Sequence, residues 1–233
     1  MKINADFDQR VVVHSGAMPW IDSPMPGVQR RPLDRVGGEV ARATSVVRYA
    51  PGSHFSPHVH TGGEEFLVLE GVFQDEHGDF PAGSYLRNPP GSSHTPGSEP
   101  GCTILVKLWQ FEPEDSTHVR LLTSETNLVE ANQGASTKQL YASSTEQVSL
   151  QRWGANQVIE LDASQGMELF VLSGSLQESG DGLVQHSWLR LPVGSSFKAV
   201  AGRQGASAWI KQNHLALVEQ QIQRVLDHSN QGD

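Results

Sequence analysis

The sequence predicts an all-β protein: two tandem β-barrels closed by a short C-terminal helix. Three observations carry this expectation. Apolar and β-branched runs are short and punctuated by turn residues, with 23 Gly and 13 Pro in 233 residues. Two sequence blocks recur at one constant spacing. Helical spacing of apolar residues occurs only near the end, at Leu215, Val218, Ile222, Val225 and Leu226.

The strand-like runs are residues 40–49, 66–69, 103–108, 148–153, 169–172 and 208–210. Residues 126–138 are polar and rich in Gly, Ser, Thr and Asn, which reads as a linker. The repeat sets the domain organisation. Glu65-Phe66-Leu67-Val68-Leu69-Glu70-Gly71 is matched 103 positions later by Glu168-Leu169-Phe170-Val171-Leu172-Ser173-Gly174. Leu86-Arg87-Asn88-Pro89-Pro90-Gly91-Ser92-Ser93-His94 is matched at the same offset by Leu189-Arg190-Leu191-Pro192-Val193-Gly194-Ser195-Ser196-Phe197. Two blocks at one offset imply two copies of one domain. The expected division is a first domain over 1–125, a linker over 126–138 and a second domain over 139–233.

Composition excludes several classes. The net charge of −9 gives the chain little reason to bind nucleic acid or an anionic membrane. No apolar run approaches the roughly 20 residues needed to span a bilayer. The polar start, residues 1–10, has no hydrophobic segment of leader type, so a cytoplasmic location is expected. A single cysteine, Cys102, excludes an internal disulfide and Cys-rich zinc motifs. It reads as a small core residue on an apolar strand.

Chemistry concentrates at His58, His60, Glu64 and His94. Residues two apart on a strand share a face, so His58 and His60 converge. A glycine turn, Thr61-Gly62-Gly63, leads to Glu64, and His94 follows the tight Pro89-Pro90-Gly91 corner. Three imidazoles and one carboxylate suit a divalent first-row metal. Glu65 competes with Glu64, and one of the two must face away from the interior. His54 lies in the same cluster. His77 belongs to the acidic turn Asp75-Glu76-His77-Gly78-Asp79. His14, His118, His186, His214 and His228 carry no supporting context.

The spacing Gly52-x5-His58-Val59-His60-x3-Glu64-x6-Gly71, followed by Gly83-x5-Pro89-x-Gly91-x2-His94, resembles the two motifs of the cupin superfamily. That resemblance implies two small antiparallel cupin barrels of jelly-roll type, the first with a metal inside, and it selects Glu64 over Glu65. The run from Gly62 to Phe73, with Asp75–Asp79 and Arg87–His94, is similar to the cupin domain of ChrR-type anti-sigma factors. There the matching His, His, Glu and His bind zinc. The resemblance covers roughly residues 26–111. The paired-cysteine zinc motif of the sigma-binding half is absent, so a sigma factor is not an expected partner.

The second copy acts as an internal control. Adding the offset to the four ligands gives Leu161, Ala163, Met167 and Phe197, all apolar, while Gly174, Pro192 and Gly194 persist. One metal per chain is therefore expected, in the first domain. Zinc is the leading candidate, with iron(II), manganese or nickel as alternatives. Glu65 and Arg87 persist as Glu168 and Arg190, which points to structural roles. The expected function is a ChrR-like sensory or regulatory protein, or one that binds a small molecule. The alternative is a dioxygenase acting on a dicarbonyl or hydroxyaryl-ketone compound. A homodimer is expected by fold analogy.

Overall fold

The computed structural model describes residues 1–124, 129–130 and 135–230. Among them the chain is all-β, with antiparallel sheets of jelly-roll type and one α-helix, Val218–Asn230. No described helix is long and apolar enough to cross a membrane. The chain forms two compact units. The first contains Met1–Ala5, Pro19–Glu125 and Glu219–Asp233; the second contains Asp6–Met18 and Thr126–Val218.

Two segments depart from the expected division into 1–125 and 139–233. Val11–His14 adds an edge strand to Ser187–Gln212, so it belongs to the second unit. The helix belongs with the first unit. There Gln221 donates to the Gln110 carbonyl (3.1 Å) and accepts from Arg42 Nε (2.9 Å). Val218, Gln221 and Val225 are buried, whereas Leu226 is exposed. The described part of the expected linker is not irregular: Val129–Glu130 pairs antiparallel with Ser136–Ala142. The rest of that linker lies outside the described residues.

In the first unit the main sheet runs Lys2–Ile3, Val28–Gly37, Ala41–Tyr49, Cys102–Leu108, Glu64–Asp75, Ser84–Asn88, Val119–Leu122. One face of Ala41–Tyr49 presents Ala41, Ala43, Ser45, Val47 and Tyr49 to an interior cavity, and Ile104, Val106 and Leu108 extend that wall. Phe66, Val68, Phe73 and Leu86 complete the core. Cys102 is buried within it, as its sequence context implies.

The second unit repeats these details. Gly71 has φ +71°, and a Cβ there would lie 2.0 Å from the Gly101 carbonyl oxygen. Gly174 has φ +70° and would meet Gly205 in the same way. Each marks a left-handed, closely approached backbone that only glycine fits. Glu65 accepts a hydrogen bond from Tyr85 Oη (2.6 Å), and Glu168 accepts one from Trp188 Nε1 (3.0 Å). Both carboxylates are fully buried and hold an aromatic neighbour by a hydrogen bond, so the persistence of Glu65 in the second copy reflects structure.

Candidate metal centre

Two short strands build the site. His58–Val59 pairs antiparallel with Ser93–His94, which places His94 directly across from His58. The backbone N–H of His60 donates to the Ser92 carbonyl (2.8 Å), and Gly91 donates back to the His60 carbonyl (3.0 Å). The corner Pro89-Pro90-Gly91 thereby clamps the His58–His60 segment. Gly91, at φ +82°, makes the corner possible.

The turn between His60 and Glu64 is rigidly packed rather than merely tight. A Cβ on Gly62 would lie 2.1 Å from the Trp109 indole, and one on Gly63 would lie 2.5 Å from the Phe111 ring. Both glycines are buried. Two aromatic rings thus lie against the backbone that carries His60 and Glu64.

The three imidazoles meet in one place. Ring centroids are 4.8 Å apart for His58 and His60, 5.0 Å for His58 and His94, and 4.6 Å for His60 and His94. The planes are close to mutually perpendicular, at 82°, 83° and 76°. One nitrogen from each ring lies within 4.8 Å of the other two. Glu64 Oε2 is 3.5 Å from His60 Nε2 and 3.7 Å from His94 Nε2. His60, Glu64 and His94 are buried, and His58 is exposed at the rim.

Hydrogen bonds fix which nitrogen faces inward. His94 Nδ1 bonds Asp75 Oδ2 (3.3 Å), and His58 Nδ1 bonds the Ser56 carbonyl (3.3 Å). In each ring Nε2 is left for the centre. Asn88 Nδ2 donates to Glu64 Oε2 (3.3 Å). Burial lowers the His60 pKa, and the neighbouring imidazoles lower it further against the pull of Glu64. Burial also opposes a charged His94, but the Asp75 bond and the Glu64 charge outweigh it and the pKa rises. Asp75 is held below the usual carboxylate range: burial would raise it, and bonds from His94 and the His77 backbone overcome that.

His60 Nε2 is buried with no hydrogen-bond partner among the described residues. A neutral buried imidazole nitrogen without a proton donor is costly, whereas a cation at the convergence point would satisfy it. The donor set is therefore of the type that takes a divalent metal.

The structure brings together the four predicted residues. It sets aside the other histidines: His54 pairs with Glu99 at the surface (2.8 Å), and His214 is bonded to Glu168 in the second unit (2.9 Å). Sequence reasoning missed Asp75, which it assigned to an exposed acidic turn, and also Asn88. In the second unit Leu161 faces Phe197 in the same cross-strand register as His58 and His94. Ala163, Met167 and Phe197 are buried in its hydrophobic core and Leu161 packs against them, so that unit lacks this donor set.

Beside the histidines lies a cavity of about 490 Å³. His58, His60, Glu64 and Trp109 line it, together with the alternating face of Ala41–Tyr49.

Comparison with known proteins agrees with this architecture. Residues 8–112 match the family model described as the ChrR cupin-like domain. No curated protein matches the chain in sequence. A candidate dioxygenase from Nostoc punctiforme has a similar structure, with TM-score 0.72 and 16% identity over 90% of this chain and 84% of its own. A candidate glyoxylate-induced protein from Pseudomonas aeruginosa gives TM-score 0.69 and 14% identity over 88% of each chain. The bacterial pirin YhhW from Escherichia coli, in complex with nickel(II), gives TM-score 0.61 and 13% identity over 88% of this chain and 99% of its own. At these identities the structural likeness is one of fold. Residues 8–112, which bear the motifs, thus match a cupin-like family model, and the fold of the described residues is of the cupin type.

Proposed function

We propose that the first unit holds one divalent metal ion per chain through His58, His60, Glu64 and His94, and that this centre works as a sensory or regulatory small-molecule site. The orphaned Nε2 of His60, buried where three imidazoles converge, is the observation that carries this reading. The ChrR cupin-like match supports it over the residues that bear the ligands. Three imidazoles and one carboxylate can close a tetrahedral zinc site, so zinc is the proposed metal. A sigma factor is not part of the proposal, because the chain has one cysteine and thus no paired-cysteine motif.

One observation favours a second reading. The cavity reaches His58, His60 and Glu64, so a six-coordinate ion there would keep positions open toward it. An iron(II), manganese or nickel centre of that kind supplies redox or Lewis-acid chemistry, as a dioxygenase acting on a dicarbonyl or hydroxyaryl ketone requires. Within either reading the chain's residues do the same work. Asp75 and the Ser56 carbonyl orient imidazoles, Asn88 holds the Glu64 carboxylate, and Trp109 and Phe111 fix the turn.

Elemental analysis of protein purified without added metal separates the readings. Zinc near one per chain, with no oxygen uptake on a β-diketone, supports the first. Iron with oxygen uptake supports the second. Protein that retains none of the four metals after incubation overturns both. His94→Phe, the residue found at the equivalent position of the second unit, is expected to abolish metal binding and leave the circular dichroism spectrum intact. Metal content that survives this change overturns the ligand set.

A further inference from the structure

The cavity beside the histidines also contains two guanidiniums, Arg30 and Arg35. Both come from the strand Val28–Gly37. Their spacing is odd, which would put them on opposite faces of a regular strand. The register shifts between Pro32 and Asp34, and this brings them to one side: Arg30 pairs across from Val47 and Arg35 from Ala43, both cavity residues.

Neither guanidinium is neutralised. Arg30 is half-buried and makes no hydrogen bond or ion pair among the described residues. Arg35 donates to the backbone oxygens of Gly38 and Glu39 and meets no carboxylate among them. Burial lowers the Arg35 pKa first, and the Arg30 charge lowers it further, so the two cations stand close enough to repel. The described carboxylates lining the cavity are Glu64, at the histidines, and Glu39, which is exposed. Two partly desolvated like charges without a counter-charge are unfavourable in a chain of net charge −9.

The rest of the cavity shows what would relieve them. Val47, Ile104 and Val106 form an apolar wall, and Ala43 and Ser45 are small enough to leave room. The Tyr49 phenol stays protonated, because burial and then the Glu64 charge push its pKa up, so it is a hydrogen-bond donor facing the same space.

We propose that this cavity recognises a small organic carboxylate, its anionic head paired by Arg30 and Arg35 and its apolar body against Val47, Ile104 and Val106. The ligand's approach to the histidines rests on the metal reading above; the ionic contact does not. Guanidinium pairs bind carboxylates through short, charge-assisted and often bidentate bonds. A bare inorganic anion would use the cations and leave the apolar wall uncovered.

Isothermal titration of the full chain, metal-loaded and metal-free, tests this with benzoate, benzamide and inorganic phosphate. Benzoate is expected to bind, with benzamide and phosphate at least tenfold weaker. Arg30→Gln and Arg35→Gln are each expected to weaken benzoate at least tenfold. Metal content should stay unchanged, and the Arg30→Gln melting temperature should not fall. Absence of benzoate binding, equal binding of benzamide or phosphate, or full benzoate affinity in Arg30→Gln overturns the proposal. Metal content measured on the same samples keeps the two readings apart. Retained metal without benzoate binding overturns this inference alone. Arg30-dependent benzoate binding without metal upholds it while the metal reading fails.

Discussion

Asp75 Oδ2 lies 3.3 Å from His94 Nδ1, with both side chains almost wholly buried. The carboxylate fixes the ring so that Nε2 faces His60 and Glu64. Asp75→Asn keeps the volume but removes the charge. It is expected to weaken metal affinity by roughly 10–100-fold, the usual loss when a partner of a ligating imidazole is changed. Competition against a chromophoric chelator measures this, and unchanged affinity would show that the Asp75 bond does not position His94.

Gly62 is the tightest point of the turn between His60 and Glu64. Gly62→Ala drives a methyl group into the Trp109 ring. Overpacking of this kind costs about 1–3 kcal/mol, so a urea midpoint should fall accordingly. Metal affinity should fall with it, because the same turn carries two of the proposed ligands. Stability equal to that of the parent would mean that Trp109 can swing away.

Asp115 pairs with Arg87 at 2.5 Å, and Arg87 in turn lies 4.2 Å over the Phe111 ring. Burial raises the Asp115 pKa, but the Thr117 backbone N–H and the Arg87 charge outweigh it and hold it below the usual carboxylate range. A carboxyl depressed on folding stabilises fully above its unfolded value, and that contribution disappears as pH falls through the folded value. Asp115→Asn should therefore cost about 1.5–3 kcal/mol at neutral pH, as for a hydrogen bond to a charged group. The difference from the parent should vanish in acid below the folded value. A pH-independent difference in urea titrations would assign the loss to packing instead.

The Cys102 thiol is 4% exposed, and burial pushes its pKa up to about 11 despite a bond from Ser98. At pH 8 the native protein should not react with a disulfide reagent over minutes, and one thiol per chain should appear in denaturant. Rapid native labelling would mean that the core strand opens readily.

Much of this was legible in the residues, for physical reasons. The histidines share short strands on which period-two spacing holds, so His58 and His60 could be placed on one face directly. The apolar counterparts Leu161, Ala163, Met167 and Phe197 marked the four as a unit. Asp75 was hidden by a β-bulge. The ladder to Cys102–Leu108 slips one residue at Leu69, so the inward face passes from Glu64, Phe66 and Val68 to Phe73 and Asp75. Strict alternation from Glu64 therefore predicts the wrong side. The slip recurs at Leu172 in the second unit. Arg30 and Arg35 were hidden the same way by the irregularity at Leu33. The long strands Val158–Glu178 and Ser187–Gln212 were found only at the apolar runs 169–172 and 208–210, because much of the rest alternates with exposed residues.

The membership of the chain's ends has a consequence for dividing the chain. Residues 6–18 serve the second unit and 219–233 the first. A fragment cut at residue 125 would keep a strand whose partner, Ser187–Gln212, is gone, and would lose Gln221, which bonds the fully buried Arg42. The repeat at offset 103 therefore does not mark a cut that would separate two self-sufficient halves. The second unit, which lacks the four-residue donor set, thus has a structural duty of its own, because each unit is completed by a segment from beyond its own half of the chain.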